Sequence, residues 1–173
     1  MKRFIVALSV AGLVLVASSS SALATTTRNP VDDLVYPTVT SPGDWTFTGN
    51  VLQVRGMVAN SYPVDDALGP GVETVVQDFS LNLANGHGAV RGKTEIVYGP
   101  GGWSCSWEGQ FDPDQFYFDG TVLLYAFNAH EVCHGTGGIT GGQLRLDFTA
   151  SDFSAQVHAV GYWFVPGDRS ASA

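Results

Sequence analysis

From Trp45 onward the chain alternates apolar and polar residues with a period of two, in runs bounded by Gly, Asn, Asp and Pro. A period of two sends successive side chains to opposite faces of a strand, and the three-to-four spacing of an amphipathic helix is matched almost nowhere. The runs predict strands at 45–58, 74–84, 89–98, 103–111, 117–128, 143–149 and 154–164. Trp103, Cys105 and Trp107 share one face while Ser104, Ser106 and Glu108 take the other, and Leu144, Leu146 and Phe148 alternate in the same way with Gln143, Arg145 and Asp147. Each strand therefore has one side for a core and one for water. The clearest hairpin follows Phe79, Leu81 and Leu83, where Asn85-Gly86 supplies residues that tolerate positive φ and Ala89 begins the return.

Seven such runs in succession predict an antiparallel meander. Glycine is dense between the runs, with ten of the chain's 21 glycines between Gly99 and Gly142. That density suits tight turns and the bends by which a sheet curls. A barrel also hides the edges of many short strands, so the predicted fold is all-β, a single antiparallel β-barrel of about eight strands, with a two-sheet sandwich as the alternative.

The N-terminal quarter has a different pattern. Met1-Lys2-Arg3, an apolar run from Phe4 to Ala17 and the small-residue end Ala22-Leu23-Ala24 predict a cleavable signal peptide over residues 1–24. The run is too short for a membrane-spanning helix, and none of about 18 apolar residues follows it. A secreted or periplasmic protein is expected, beginning near Thr25. Residues 25–43, with Pro30, Pro37 and Pro42, read as an extended leader, 44–166 as the β-barrel domain and 167–173 as a flexible tail.

Charge narrows the partners. Eight basic residues stand against sixteen acids, a formal charge of −8 that becomes −10 once Lys2 and Arg3 leave with the signal. Nucleic acid and anionic membranes are disfavoured as partners by that balance. The acids are scattered, as a solvated surface requires, and form no acidic tail. Cys105 and Cys133 are the only cysteines, and in an exported chain they predict one intramolecular disulfide. Closing a loop of about 29 residues stabilises the fold by roughly 3–4 kcal/mol in the chain-entropy model. No Asn-x-Ser/Thr sequon is present.

The sharpest chemical motif is His130-Glu131-Val132-Cys133-His134, which fits the His-Glu-x-x-His pattern of zinc hydrolases. On a helix, His130 and His134 would share a face and bind one zinc while Glu131 polarised a water; residues 121–129, taken alone, read as such a helix. Gly137 also falls where the longer metzincin pattern has glycine, but Thr140 stands where a third histidine is needed and no methionine follows Met57. On a strand, the two histidines lie about 13 Å apart and cannot share an ion. Cys133 is moreover taken by the predicted disulfide. The strand reading is the stronger one, so no cofactor is expected, and zinc belongs to the alternative alone.

Other candidates are weaker in pattern. His87 flanks a hairpin turn and His158 alternates with Val157 and Ala159, so both are expected as surface residues. Trp107 and Tyr125, with Trp103, Phe127, Tyr162 and Trp163, would serve as core, and would line a cavity if the barrel holds a small apolar ligand. Glu108 and Arg145 are candidates for a polar group in that cavity, and equally for solvent-facing positions. No Gly-x-Ser-x-Gly elbow, phosphate loop or dinucleotide fingerprint occurs.

Trp107-Glu108-Gly109, Phe118-Asp119-Gly120-Thr121 and Gly135-Thr136-Gly137-Gly138-Ile139-Thr140-Gly141 together resemble the strand-and-glycine-turn rhythm of allene oxide cyclase-like and dirigent-like, calycin-type barrels, over about residues 103–164. The resemblance implies an eight-stranded barrel, some of whose members guide a cyclisation in an apolar cavity without a cofactor. None of their catalytic residues matches here, so only the fold carries over. Three functions are therefore in play. The first is a small-molecule binder or cofactor-free cyclase or isomerase, the second a zinc hydrolase through His130, Glu131 and His134, and the third an interaction module without a catalytic site.

Overall fold

The computed structural model describes residues 28–65 and 68–164. The signal-peptide segment and the C-terminal tail lie outside them. The described chain is all-β, built from twelve strands. The first six are β1 (Asn29–Val35), β2 (Thr38–Ser41), β3 (Asp44–Thr48), β4 (Val51–Ser61), β5 (Val64–Asp65) and β6 (Gly69–Pro70). The rest are β7 (Val72–Asn82), β8 (Gly88–Val97), β9 (Gly101–Phe118), β10 (Leu123–Gly137), β11 (Gln143–Ser151) and β12 (Gln156–Phe164). The short β5 and β6 pair with each other. The other ten form one antiparallel sheet in the order β1-β12-β11-β10-β9-β8-β7-β4-β2, with β3 also on β4.

This order forces the sheet to curl. β1 and β2 end opposite edges of the path, yet only Tyr36 and Pro37 separate them in sequence. Three Cα steps span at most about 11 Å, whereas nine strands laid flat would spread over roughly 38 Å. Only a sheet bent back on itself lets so short a link join its two edges. Bulges assist the bend. At Val54/Met57 two residues, Arg55 and Gly56, stand opposite the single Asp78 of β7, with Gly56 at φ 65° and its N–H donated to Asp78 Oδ1 at 2.9 Å. In the β9–β10 ladder the irregularity lies on β9, where residues 112–115 stand opposite the single Ala126.

Residues 29–41 correct the leader reading. They form β1 and β2, each on an edge of the sheet. Their prolines gave a leader-like composition, but Pro30 sits near the start of an edge strand, Pro37 in the link and Pro42 before a turn, places where no ladder donor is missed. Two strand boundaries also move. The run 45–58 is broken at Gly49-Asn50 into a β3–β4 hairpin, and 117–128 is broken at Asp119–Val122, where Asp119 Oδ1 accepts the N–H groups of Thr121 and Val122 and Gly120 takes φ 93°. The hairpin expected at Asn85-Gly86 is present between β7 and β8, with Gly86 at φ 73°.

The concave face carries two apolar clusters. One is aromatic: Phe79, Phe111, Phe127 and Trp107 are buried, with Tyr125 and Phe148 against them, and Trp107 stacks on Phe127 with ring centroids 5.8 Å apart. The other surrounds the Cys105–Cys133 disulfide with Ile96, Tyr98, Trp103, Leu144 and Leu146. The two cysteines face each other directly across β9 and β10.

Candidate functional site

β10 decides where the chemistry goes. Phe127, Ala129, Glu131 and Cys133 point inward and are buried, while Asn128, His130 and His134 are exposed on the other face. The helix read for 121–129 is thus replaced by a turn and a strand, and the zinc alternative loses its geometry. His130 and His134 lie on one face of the strand, and Glu131 lies on the other. Strand spacing keeps the histidines about 13 Å apart, so the three cannot converge on one ion. His130 Nδ1 instead contacts Asp147 at 2.9 Å on the surface, and His158 Nε2 contacts Asp32 at 2.8 Å.

Glu131 is the unusual residue. It is buried at 4% exposure between Trp107 of β9 and Leu146 of β11, its register partners. Its Oε1 has no hydrogen-bond partner. On the neighbouring β8, Thr94 supports the carboxyl: its Oγ accepts the Trp107 indole N–H at 3.1 Å, and its side chain hydrogen-bonds Glu131. Gly92 makes room for this arrangement, because a Cβ there would collide with the Trp107 indole. Burial outweighs the Thr94 bond, and Glu73 adds like charge, so Glu131 is pushed up to about 7.

The carboxyl of Glu131 and the disulfide sulfurs cluster within 4.8 Å of one another. Such a set would suit a soft metal only if both thiolates were free, and the S–S bond removes them as ligands.

Around Glu131 lies an interior cavity of about 390 Å³, lined from every strand of the main sheet. Its walls are mainly apolar, from Val31, Val75, Leu144, Phe127, Phe148 and Trp163 among others. Five acids interrupt them, Asp33, Asp65, Glu73, Glu131 and Asp152, and no Lys, Arg or His lines it among the described residues. Glu73 is raised by burial despite its hydrogen bond from Ser61, and Asp33 adds to the rise. Asp152 is pushed up to about 6 by desolvation. Burial also raises the hydroxyls of Tyr98 and Tyr125, each with carboxylates nearby. Asp65 accepts the Trp163 indole N–H at 3.2 Å.

No family model matches the chain, and neither a curated protein nor a solved structure does. The site therefore rests on its own geometry.

The sequence-based candidates divide cleanly between the two faces. Trp107 and Tyr125 line the cavity. Glu108 and Arg145 do not: both are exposed on the outer face, Glu108 directly opposite Arg91 and His130 in the ladders. A larger, open depression of about 860 Å³ crosses that outer face past Arg55, Asp78, Glu108 and His130. There Asp78 is held low by the Gly56 N–H and by Arg55 and Arg91, two guanidinium groups sharing one carboxylate on the outer face. The sequence pattern alone does not single out Asp33, Glu73 or Thr94. Their only signal is an inward place in an alternation, as where Val31, Asp33 and Val35 alternate with Asp32 and Leu34 along β1.

Proposed function

We propose that this protein is a small-molecule carrier or receptor whose curled sheet closes into a single barrel around one mainly apolar ligand. The observation that carries this reading is the 390 Å³ interior cavity, lined by aromatic and aliphatic side chains from all strands of the main sheet. Cavities of this size and character hold drug-sized molecules. Barrel closure is supported by the two-residue link between the edge strands, and it is the architecture that the resemblance to allene oxide cyclase-like barrels implies. Action outside the cytoplasm is supported by the signal-like N-terminus and the disulfide.

The test is saturable binding of N-phenyl-1-naphthylamine, a fluorescent apolar probe, by the chain from Thr25 onward. We expect one site with micromolar affinity, and at least tenfold weaker binding in Ala150→Phe, which fills the cavity while circular dichroism stays that of the parent. A probe that binds without saturation, or equally well to Ala150→Phe, would set the cavity reading aside.

A second reading, cofactor-free isomerisation, is favoured by one observation: a carboxyl near 7 inside an apolar cavity is poised to give and take protons at neutral pH. It predicts that a bound carbonyl compound exchanges its α-hydrogens in D2O faster with the protein than with Glu131→Gln. Equal exchange rates would leave the binding reading alone.

A further inference from the structure

The ligand's chemistry can be read from the polar groups of the cavity and the charge they carry. We propose that the cavity selects an apolar organic cation, an amine carrying a hydrophobic body, with Glu131 as its counter-ion. This rests on the binding reading above. Three independent features of the cavity point the same way.

The first is charge. Five carboxyl side chains line the cavity, and no Lys, Arg or His lines it among the described residues. Glu131 faces Trp107 of β9, Leu146 of β11 and Thr94 of β8, and it feels the charge of Glu73 on β7, which in turn feels Asp33 on β1. The groups that face Glu131 are thus apolar, hydroxyl or acidic. A fatty acid or any other anion would enter a space already lined with carboxyl groups. The second is the carboxyl itself. Glu131 is 4% exposed, and its Oε1 has no hydrogen-bond partner. A buried unpaired acceptor is costly, and a donor or positive charge from a ligand removes that cost.

The third is the wall. Trp103, Trp107, Tyr125, Phe127, Phe148 and Trp163 line the same cavity. Aromatic faces attract ammonium groups, and aromatic cages are a recurrent way to hold alkylated amines. The chain as a whole reinforces the choice, since a formal charge of −8 raises the local concentration of cations and repels anions.

A shape-matched series isolates charge. 4-Phenylbutylammonium, 4-phenylbutanol and 4-phenylbutyrate are titrated at pH 7.5 into the probe-loaded protein and into Glu131→Gln. The ammonium is expected to displace the probe at least tenfold more tightly than the alcohol, and the carboxylate at least tenfold more weakly. In Glu131→Gln the preference for ammonium over alcohol should shrink below threefold, a ratio taken within one protein that cancels any general change in the cavity's affinity. An alcohol or carboxylate that matches the ammonium overturns the cation proposal and leaves the binding reading in place. A preference that survives Glu131→Gln overturns Glu131 as the counter-ion. If neither the probe nor any of the three binds, both readings fall.

Discussion

Glu131 and His130 are neighbours in sequence and belong to one motif, yet they occupy opposite environments. His130 is on the outer face, where its side chain is 54% exposed and meets a still more open Asp147. Glu131 is on the inner face, sealed between Trp107 and Leu146 and pushed up to about 7. Water screens the first contact and is excluded from the second. The lesson is that a motif's chemistry depends on which residues share a face. A five-residue pattern that would assemble a metal site on a helix is split by a strand into a surface pair and a buried acid.

The largest effect should come from the inner face's covalent tie. Replacing Cys105 and Cys133 by alanine removes a link between residues 28 apart in sequence. The loss is expected to be roughly 3–4 kcal/mol, read as a lower denaturation midpoint in guanidinium, because the unfolded chain regains its loop freedom. If the midpoint did not move, the disulfide would not be holding the Glu131 end of the cavity together.

Next comes the pH dependence of that same face. Folding raises Glu131 from 4.5 to about 7, so the native state holds its proton more tightly than the unfolded chain does. Its contribution is fully present below about 4.5 and is lost as pH rises through about 7. Between pH 5 and 8 the wild type should lose about 2.5 kcal/mol relative to Glu131→Gln, which has no proton to lose. Glu73 is raised in the same direction and adds to the slope in both proteins. Unfolding curves at the two pH values check this, and parallel slopes in the two proteins would mean that Glu131 is not the buried acid described above.

The smallest effect belongs to the outer face. His130→Ala or Asp147→Asn breaks a contact between side chains that are both more than half exposed. Stability should change by no more than about 1 kcal/mol, and probe binding should not change. A larger loss in either readout would show that the outer pair supports the cavity, and the contrast between the faces would fail.

Much of this was legible in the alternation of residues. The aromatic lining came with its periodicity, and Trp107, Tyr125 and the disulfide pair fall on the inner face as the alternation requires. Glu108 and Arg145 show the limit, because one polar residue in a strand reads equally well as facing out or in until its neighbours' register is known. The first two strands were the hardest to see. Three prolines within thirteen residues imitate a linker, and only their positions at an edge, in a link and before a turn make them compatible with a sheet.

By itself, then, the sequence determined the class of fold, the strand periodicity, the cysteine pair and the acidic balance, since each follows from local composition or from spacing along one chain. Only the tertiary structure decided that β1 and β2 cap opposite edges of one curled sheet, and that Asp33, Glu73, Thr94 and Glu131 come together from four strands. Those residues are up to about a hundred positions apart. What joins them is the register of the ladders and the curl of the sheet, and what gives Glu131 its chemistry is the exclusion of water there, which no stretch of sequence carries alone.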